Sequence, residues 1–426
     1  MTRPDEEFDV EAPPPAATSP PQPARPARSA VGFFLLGLVL VAIGVVLAPT
    51  AEPDERGLVA SLESEPQLQW HLPIQAGGSS DGHVWLGENR VVAASPTLVR
   101  SVDLRGGDVV WEVRAPQMQC GREEDDIACV SRQGARSELI EMTMASGETG
   151  RTVQPGLEAA LPHDRGHITL YSDTEAISVM RSGDSGEHRW THRVPGAPEA
   201  DLGAVSMAVL DDLVLIQAPR VADGAGLDLA LDLADGTPHE ETEAVSVSHD
   251  GEWLVRRENE VTLYDRSGRP TTVSAESGLL RVDDDPGSDL VFSDSTGDLR
   301  ALSAATGEQT WSFSTEESGA IAHARLAGTM VGWSGGSWYG LDAEEGTLRW
   351  TRPGQMPRCP CLGADTTLAH VTGEDVSVLT GFDTRTGAVT WEIPLAESRH
   401  FSYDVNESHL AVFTAFDLSV WSLEST

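Results

Sequence analysis

Two serines stand in glycine frames of the kind that can expose a nucleophile. Gly332-Trp333-Ser334-Gly335-Gly336 fits the Gly-x-Ser-x-Gly pattern, in which a strand-to-helix turn lifts the serine hydroxyl above a sheet. Gly183-Asp184-Ser185-Gly186 is a second such frame. An elbow needs a helix after the serine, and Ser334 is followed by the strand-like Ser337-Trp338-Tyr339-Gly340-Leu341-Asp342, so turn chemistry is the better reading of both. The twelve histidines contain no His-Glu-x-x-His and the four cysteines no paired Cys-x-x-Cys, which leaves zinc without a ligand set. Asp283 to Asp289 (Asp-Asp-Asp-Pro-Gly-Ser-Asp) is acidic enough for a weak calcium site but lacks EF-hand spacing, and reads as a solvated hairpin tip. The three asparagines, Asn89, Asn259 and Asn406, fall in hairpin-like contexts where a turn role is the default. The expectation is therefore no catalytic residue, no metal site and no cofactor-binding residue.

The cysteines carry a firmer expectation. Cys120 and Cys129 flank a short polar stretch between two apolar runs, as in a hairpin closed by a cross-strand disulfide. Cys359 follows Trp350 by nine residues as Cys120 follows Trp111, so the two occupy corresponding positions. Cys359 and Cys361 could close a small ring, or the pairing could run between the two regions. With Met118 and Met356 nearby, a soft-metal site is a further reading.

The elements that would position these residues begin with compartment. Residues 1–29 are Pro-rich and acidic, too poor in apolar residues to offset chain entropy, and read as a disordered tail. Ala30 to Ala48 carries no charge over 19 residues, and a helix of that length spans roughly the 30 Å hydrocarbon core at about 1.5 Å per residue. Arg25 and Arg28 precede it, while Glu52, Asp54 and Glu55 follow with Arg56 as the one nearby cation. The positive-inside rule then makes the tail cytoplasmic and the rest extracytoplasmic, with a single transmembrane helix over 30–49 and a linker over 50–65. A cleaved signal peptide is the rival, although the apolar run exceeds the usual h-region. The balance of 29 Lys+Arg, all of them Arg, against 67 Asp+Glu gives a net charge of −38, which repels phosphate backbones and argues against nucleic acid as a partner.

From residue 66 the chain repeats. A Gly-x-x-x-Trp core recurs at Gly107/Trp111, Gly186/Trp190, Gly307/Trp311, Gly346/Trp350 and Gly387/Trp391, with tryptophan intervals of 79, 121, 39 and 41 residues. These are close to two, three, one and one periods of ~40 residues. Decayed copies fill the gaps: Gly147 with Arg151 in the tryptophan place, Asp232 and Gly236 with Glu240, and Asp265 and Gly268 with Thr272. Each interval divides into four short strands of period two, so each unit is a four-stranded antiparallel meander, the signature of a propeller blade. Asp can hydrogen-bond the turn after the third strand, Gly accepts its positive φ, and Trp on the outer strand docks between sheets. Trp70 lies one period before Trp111, and the last unit lacks a Gly-x-x-x-Trp strand, so residues 66–73 should pair with 417–424 and close the ring.

The stretches Leu341–Trp350, Phe382–Trp391, Val102–Trp111 and Leu302–Trp311 resemble the tryptophan-docking repeats of the quinoprotein alcohol dehydrogenase-like β-propellers, or PQQ-like repeats. The resemblance covers residues 66–426 and implies an all-β propeller of eight blades; the literal count here is nine, and the interval from Thr237 to Gly268 is the one suspected of being mis-cut. That family includes calcium- and quinone-dependent dehydrogenases and non-enzymatic scaffolds. The dehydrogenases imply a quinone against a tryptophan and a disulfide of adjacent cysteines, and no Cys-Cys pair exists here. The reading is a membrane-anchored, extracytoplasmic, non-catalytic binding scaffold of the cell envelope with a protein or envelope-component partner. The alternative is a quinone- or metal-dependent oxidoreductase, and a sensor signalling through the membrane span is a third reading, weakened by the short tail.

Overall fold

Period-two patterning with apolar residues on both sides of a strand requires a sheet covered on both faces, and the strand Arg90–Ser95 shows how this is met. Val91 and Ala93 pack toward one neighbouring sheet while Val92 and Ala94 pack toward the other, all at 2 % exposure or less. A computed structural model describes residues 58–74, 82–134, 136–173, 175–195, 205–210, 212–219, 226–239, 244–247, 253–257, 260–264, 270–274, 280, 282–285, 289–293, 298–303, 308–315, 320–373, 377–395, 401–406, 408–414 and 417–423. The expected tail and membrane span over 1–49 lie outside them, as does Gly307; among the described residues no helix is long and apolar enough to cross a membrane.

The described residues are all β, arranged as a succession of small sheets in which chain neighbours pair antiparallel. Sheets 1, 2 and 3 have four strands each over 83–114, 118–153 and 157–195; sheet 4 has three over 206–232; sheet 5 has four over 244–274. Sheet 6 has three over 289–313, sheet 7 has four over 321–353, and sheet 8 has four over 358–394. Sheet 9 takes three strands from 401–422 and its fourth from Gln67–Pro73, with Gln67 opposite Ser422 and Pro73 opposite Asp417. The expected pairing of 66–73 with 417–424 is thus present over nearly its full length. The interval from Thr237 to Gly268 contributes three of the four strands of sheet 5, so it is a unit in its own right.

Apolar clusters lie between successive sheets. They join sheets 1 and 2, 2 and 3, 3 and 4, 4 and 5, 6 and 7, 7 and 8, and 8 and 9, and Phe413 and Leu418 of sheet 9 pack with Val84 and Leu98 of sheet 1. The core is a string of inter-sheet seams.

Two departures from the sequence reading stand out. Val282–Asp283 adds to sheet 7 as a fifth strand, parallel to Ile321–Leu326. Asp283 is therefore no solvated hairpin tip: it is 7 % exposed and takes Arg325 in a bidentate pair, Nε to Oδ1 at 2.7 Å and a second guanidinium nitrogen to Oδ2 at 2.8 Å. The acidic run misled because a single desolvated arginine 42 residues away, invisible to local spacing, had matched one of its carboxylates. Second, part of the expected linker is packed. Leu58 bridges Gly363 in parallel, Val59 donates to the Gly363 carbonyl at 2.9 Å, and Leu62 is 1 % exposed among residues of sheets 8 and 9.

Candidate functional site

The motif residues assemble into one repeated joint. Asp103 Oδ1 accepts from the backbone of Arg105 and Gly106, Asp342 Oδ1 from Glu344 and Glu345, and Asp383 Oδ1 from Arg385 and Thr386, at 2.8 to 3.1 Å. The backbone N–H of Gly107, Gly346 or Gly387 returns to the carbonyl of the same aspartate, at φ of 67° to 71°. These bonds favour the carboxylate form and hold Asp103 and Asp342 below the usual range, the Gly106 and Glu345 N–H groups contributing most.

Onto each turn a tryptophan from the preceding sheet is laid. Trp70 lies against Gly107, Trp111 against Gly147, Trp190 against Gly236, Trp311 against Gly346 and Trp350 against Gly387, so closely that an added Cβ would meet the ring at 3.0 Å or less. Each indole N–H donates to the carbonyl three residues before that glycine: Leu104, Met144, Leu233, Ala343 and Thr384, at 2.7 to 3.0 Å. Trp190, Trp311 and Trp391 are buried at 6 to 7 %, while Trp70, Trp111 and Trp350 are half-buried. Ring stacking on glycine and a satisfied indole donor make this a shape-specific clasp.

Two members depart from the pattern. Trp391 donates to the Leu62 carbonyl at 3.0 Å, so its acceptor comes from ahead of the first sheet. Gly186 has the positive φ of 73° but no ring within 4 Å, because the preceding sheet offers Arg151 in the tryptophan place. Arg151 turns back to pair with Glu148 at 2.8 Å.

The serines are turn and seam residues. Ser334 is fully buried with its hydroxyl 3.2 Å from that of Thr315, and Ser185 bonds the Glu187 carboxylate. Asn406 caps its own turn, accepting from Ser408 and His409. Cys120 and Cys129 are directly opposed on adjacent strands and joined as a disulfide. Cys361 is also disulfide-bonded, and Cys359 lies outside the side chains described. Met118 is buried at 5 % in the seam of sheets 1 and 2, whereas Met356 is exposed. Among the described residues no three His, Cys, Asp or Glu side chains group as a metal site.

The seam between sheets 7 and 8 holds a cluster the sequence did not announce. Trp338 is fully buried, with its ring 4.5 Å from that of His370, 5.5 Å from His323 and 5.7 Å from Phe382. The Arg352 guanidinium lies 4.3 Å over Phe382 and 5.8 Å from the Trp338 centroid. His323 reaches the cluster from a β-bulge between Ala322 and Ala324, which re-aims one side chain without breaking the strand. Burial pushes the His370 imidazole down to about 3, with the Arg352 and His323 charges acting in the same direction, so it is neutral near pH 7. Burial also lowers the Arg352 guanidinium against the pull of Glu392. Nothing in the spacing of residues 323, 338, 352, 370 and 382 marks them as one site; only a β-meander of known register could have brought them together.

A protein-family model described as outer membrane protein assembly factor BamB matches residues 257–409, a little over a third of the chain. Among solved structures, BamB from Moraxella catarrhalis aligns at 14 % identity with TM-score 0.46, covering 84 % of this chain and 100 % of the other. The computationally designed Ika8 protein aligns at 11 % and 0.43 over 86 % and 99 %. A europium-containing methanol dehydrogenase aligns at 11 % and 0.42 over 84 % and 93 %. No protein of curated function matches the chain in sequence.

Proposed function

We propose that this chain, a PQQ-like β-propeller repeat protein, is a non-catalytic binding scaffold of the cell envelope. One observation carries the reading. The residue two before a docking tryptophan, on the outermost strand, is apolar and about half exposed in four sheets: Leu68 in sheet 9, Val109 in sheet 1, Leu348 in sheet 7 and Val389 in sheet 8. The tryptophans serve the joints, whereas these neighbours leave about half of each side chain uncovered, and apolar side chains on outermost strands are features that protein partners cover. The match to an assembly-factor family supports a protein partner.

The seams and the pairing of Gln67–Pro73 with Asp417–Ser422 support a closed ring, and the nine sheets support the literal count of nine blades over the usual eight. The disulfide of Cys120 and Cys129 favours an oxidising compartment, in keeping with a propeller outside the membrane, a single span over 30–49 and a cytoplasmic N-terminus. The adjacent-cysteine disulfide of the quinone-dependent relatives has no counterpart in Cys120 and Cys129, which bridge two strands.

The test is in-cell cross-linking of the full chain with Leu348→Glu and Val389→Glu, exposed changes that should leave folding intact. A specific envelope partner lost in the variants supports the scaffold. Saturable quinone absorbance with calcium, coupled to dye-linked alcohol or sugar oxidation by the purified chain, would replace it with the oxidoreductase.

A further inference from the structure

In the seam of sheets 7 and 8, Trp338 Nε1, Arg352 Nε and His370 Nδ1 are buried polar atoms that the packing leaves without hydrogen-bond partners. They belong to Ser337–Asp342, Leu348–Pro353 and Thr367–Thr372, two strands of one sheet and one of the next. Trp338 and His370 are 0 % and 1 % exposed, so bulk water does not reach them freely and an orphaned donor there is unfavourable. The ring distances above gather the three side chains around Trp338 and Phe382. Indole and guanidinium nitrogens only donate, and neutral imidazole donates from Nδ1 when Nε2 carries no proton. In that tautomer the three atoms are donors with a cation at their rim, a combination that selects an acceptor of negative charge.

We propose that this seam binds one small monovalent anion, a halide or a carboxylate-sized ion, held by Trp338 Nε1–H and His370 Nδ1–H with Arg352 supplying the charge. The fixed positive charge of Arg352 and the donor-only indole disfavour a metal cation. Arg352 is half-buried on the outermost strand of sheet 7, which gives the ion a path from solvent past the guanidinium. The exterior charge of −38 does not prevent this, because charges beyond about 8–10 Å are screened at physiological salt while Arg352 acts at contact. Glu392 on the neighbouring outer strand attracts Arg352 but is itself exposed, so a buried anion at the guanidinium competes with a solvated carboxylate.

The experiment uses the purified full chain with bromide as probe. Tm should rise saturably with sodium bromide or chloride over sodium sulfate at matched ionic strength, and a bromide anomalous peak should lie within hydrogen-bond distance of Trp338 Nε1 in crystals. Arg352→Gln should move the bromide midpoint at least about tenfold upward, the loss of one charged hydrogen bond. Should that variant fail to fold, Trp338→Phe keeps the ring, removes the N–H and should weaken the midpoint in the same direction. A Tm response that is linear in salt, or equal in wild type and variants, or a bromide-soaked crystal showing only water at the seam, overturns the proposal.

Discussion

The joints on either side of sheet 2 are built from the same plan with different parts. At the first, Trp111 from sheet 1 lies on Gly147 and donates to the Met144 carbonyl at 3.0 Å. At the second, Arg151 faces a Gly186 turn with open space above it, and the Gly183 carbonyl, where an indole would have donated, accepts from Gly186 N–H instead. That second joint is held nearer the chain entry of each sheet: Leu139, Val130 and Leu157 form its apolar seam, His163 Nδ1 meets Glu123 at 2.6 Å, and Arg132 pairs with Glu158. The indole clasp is thus an outer-edge device added to a seam that can stand without it. Where a sheet can satisfy its own turn and bury its inner strands, the joint holds without a tryptophan.

That contrast can be broken most decisively at a clasp. Trp350→Ala should cost about 3–5 kcal/mol in urea unfolding, because a ring stacked on Gly387 with a satisfied N–H is removed from a packed joint. A loss below about 1 kcal/mol would show that the clasps contribute no more than the Arg151 joint. Leu62→Ala comes next, at about 2–4 kcal/mol, since Leu62 is 1 % exposed and supplies the carbonyl for Trp391 from outside the repeat. An unchanged denaturation midpoint would return residues 58–62 to the status of linker.

The third prediction concerns pH. His370 is neutral in the fold down to about pH 3 and takes a proton near 6.5 when unfolded, so the unfolded chain binds more protons between those values. Stability should be level above pH 6.5 and fall as pH drops, by about 2 kcal/mol at pH 5, before the turn aspartates begin to titrate. His370→Gln should remove the largest part of that fall, leaving what the depressed His167 and His192 contribute, and a wild-type curve already flat there would refute the burial of a neutral imidazole. Smallest of all, Arg151→Ala should change stability by less than about 0.5 kcal/mol, since its partners are solvated and the turn opposite it is empty.

Much of the fold could be read from residue order because the clasp imposes the same demand at each step. An aspartate, a left-handed glycine and a tryptophan at four-residue steps mark the turn and the strand that follows it, and Trp70 one period early pointed to the terminal pairing. What escaped was whatever depended on a single, unrepeated meeting. Leu62 is one leucine in a polar stretch, and no periodicity says that its carbonyl will face Trp391. Asp283 looked like its acidic neighbours until Arg325 singled it out. His370, Trp338 and Arg352 come from three strands and two sheets, each an ordinary alternating position, and only the register places them face to face.

The pairing of Gln67–Pro73 with Asp417–Ser422 also sets a clock. Gln67 leaves the ribosome 355 residues before Ser422, its partner. At about 5–20 residues per second, synthesis keeps that strand waiting roughly 20 to 70 s, with Leu68 and an unpaired backbone exposed throughout. Sheet 9 is consequently the last to form however fast the others fold, and its long-range closure makes the finished chain slow to assemble. For that interval the nascent protein carries an open strand able to accept a strand from another chain, and any factor that shields it would act before the last six residues of the pairing have been made.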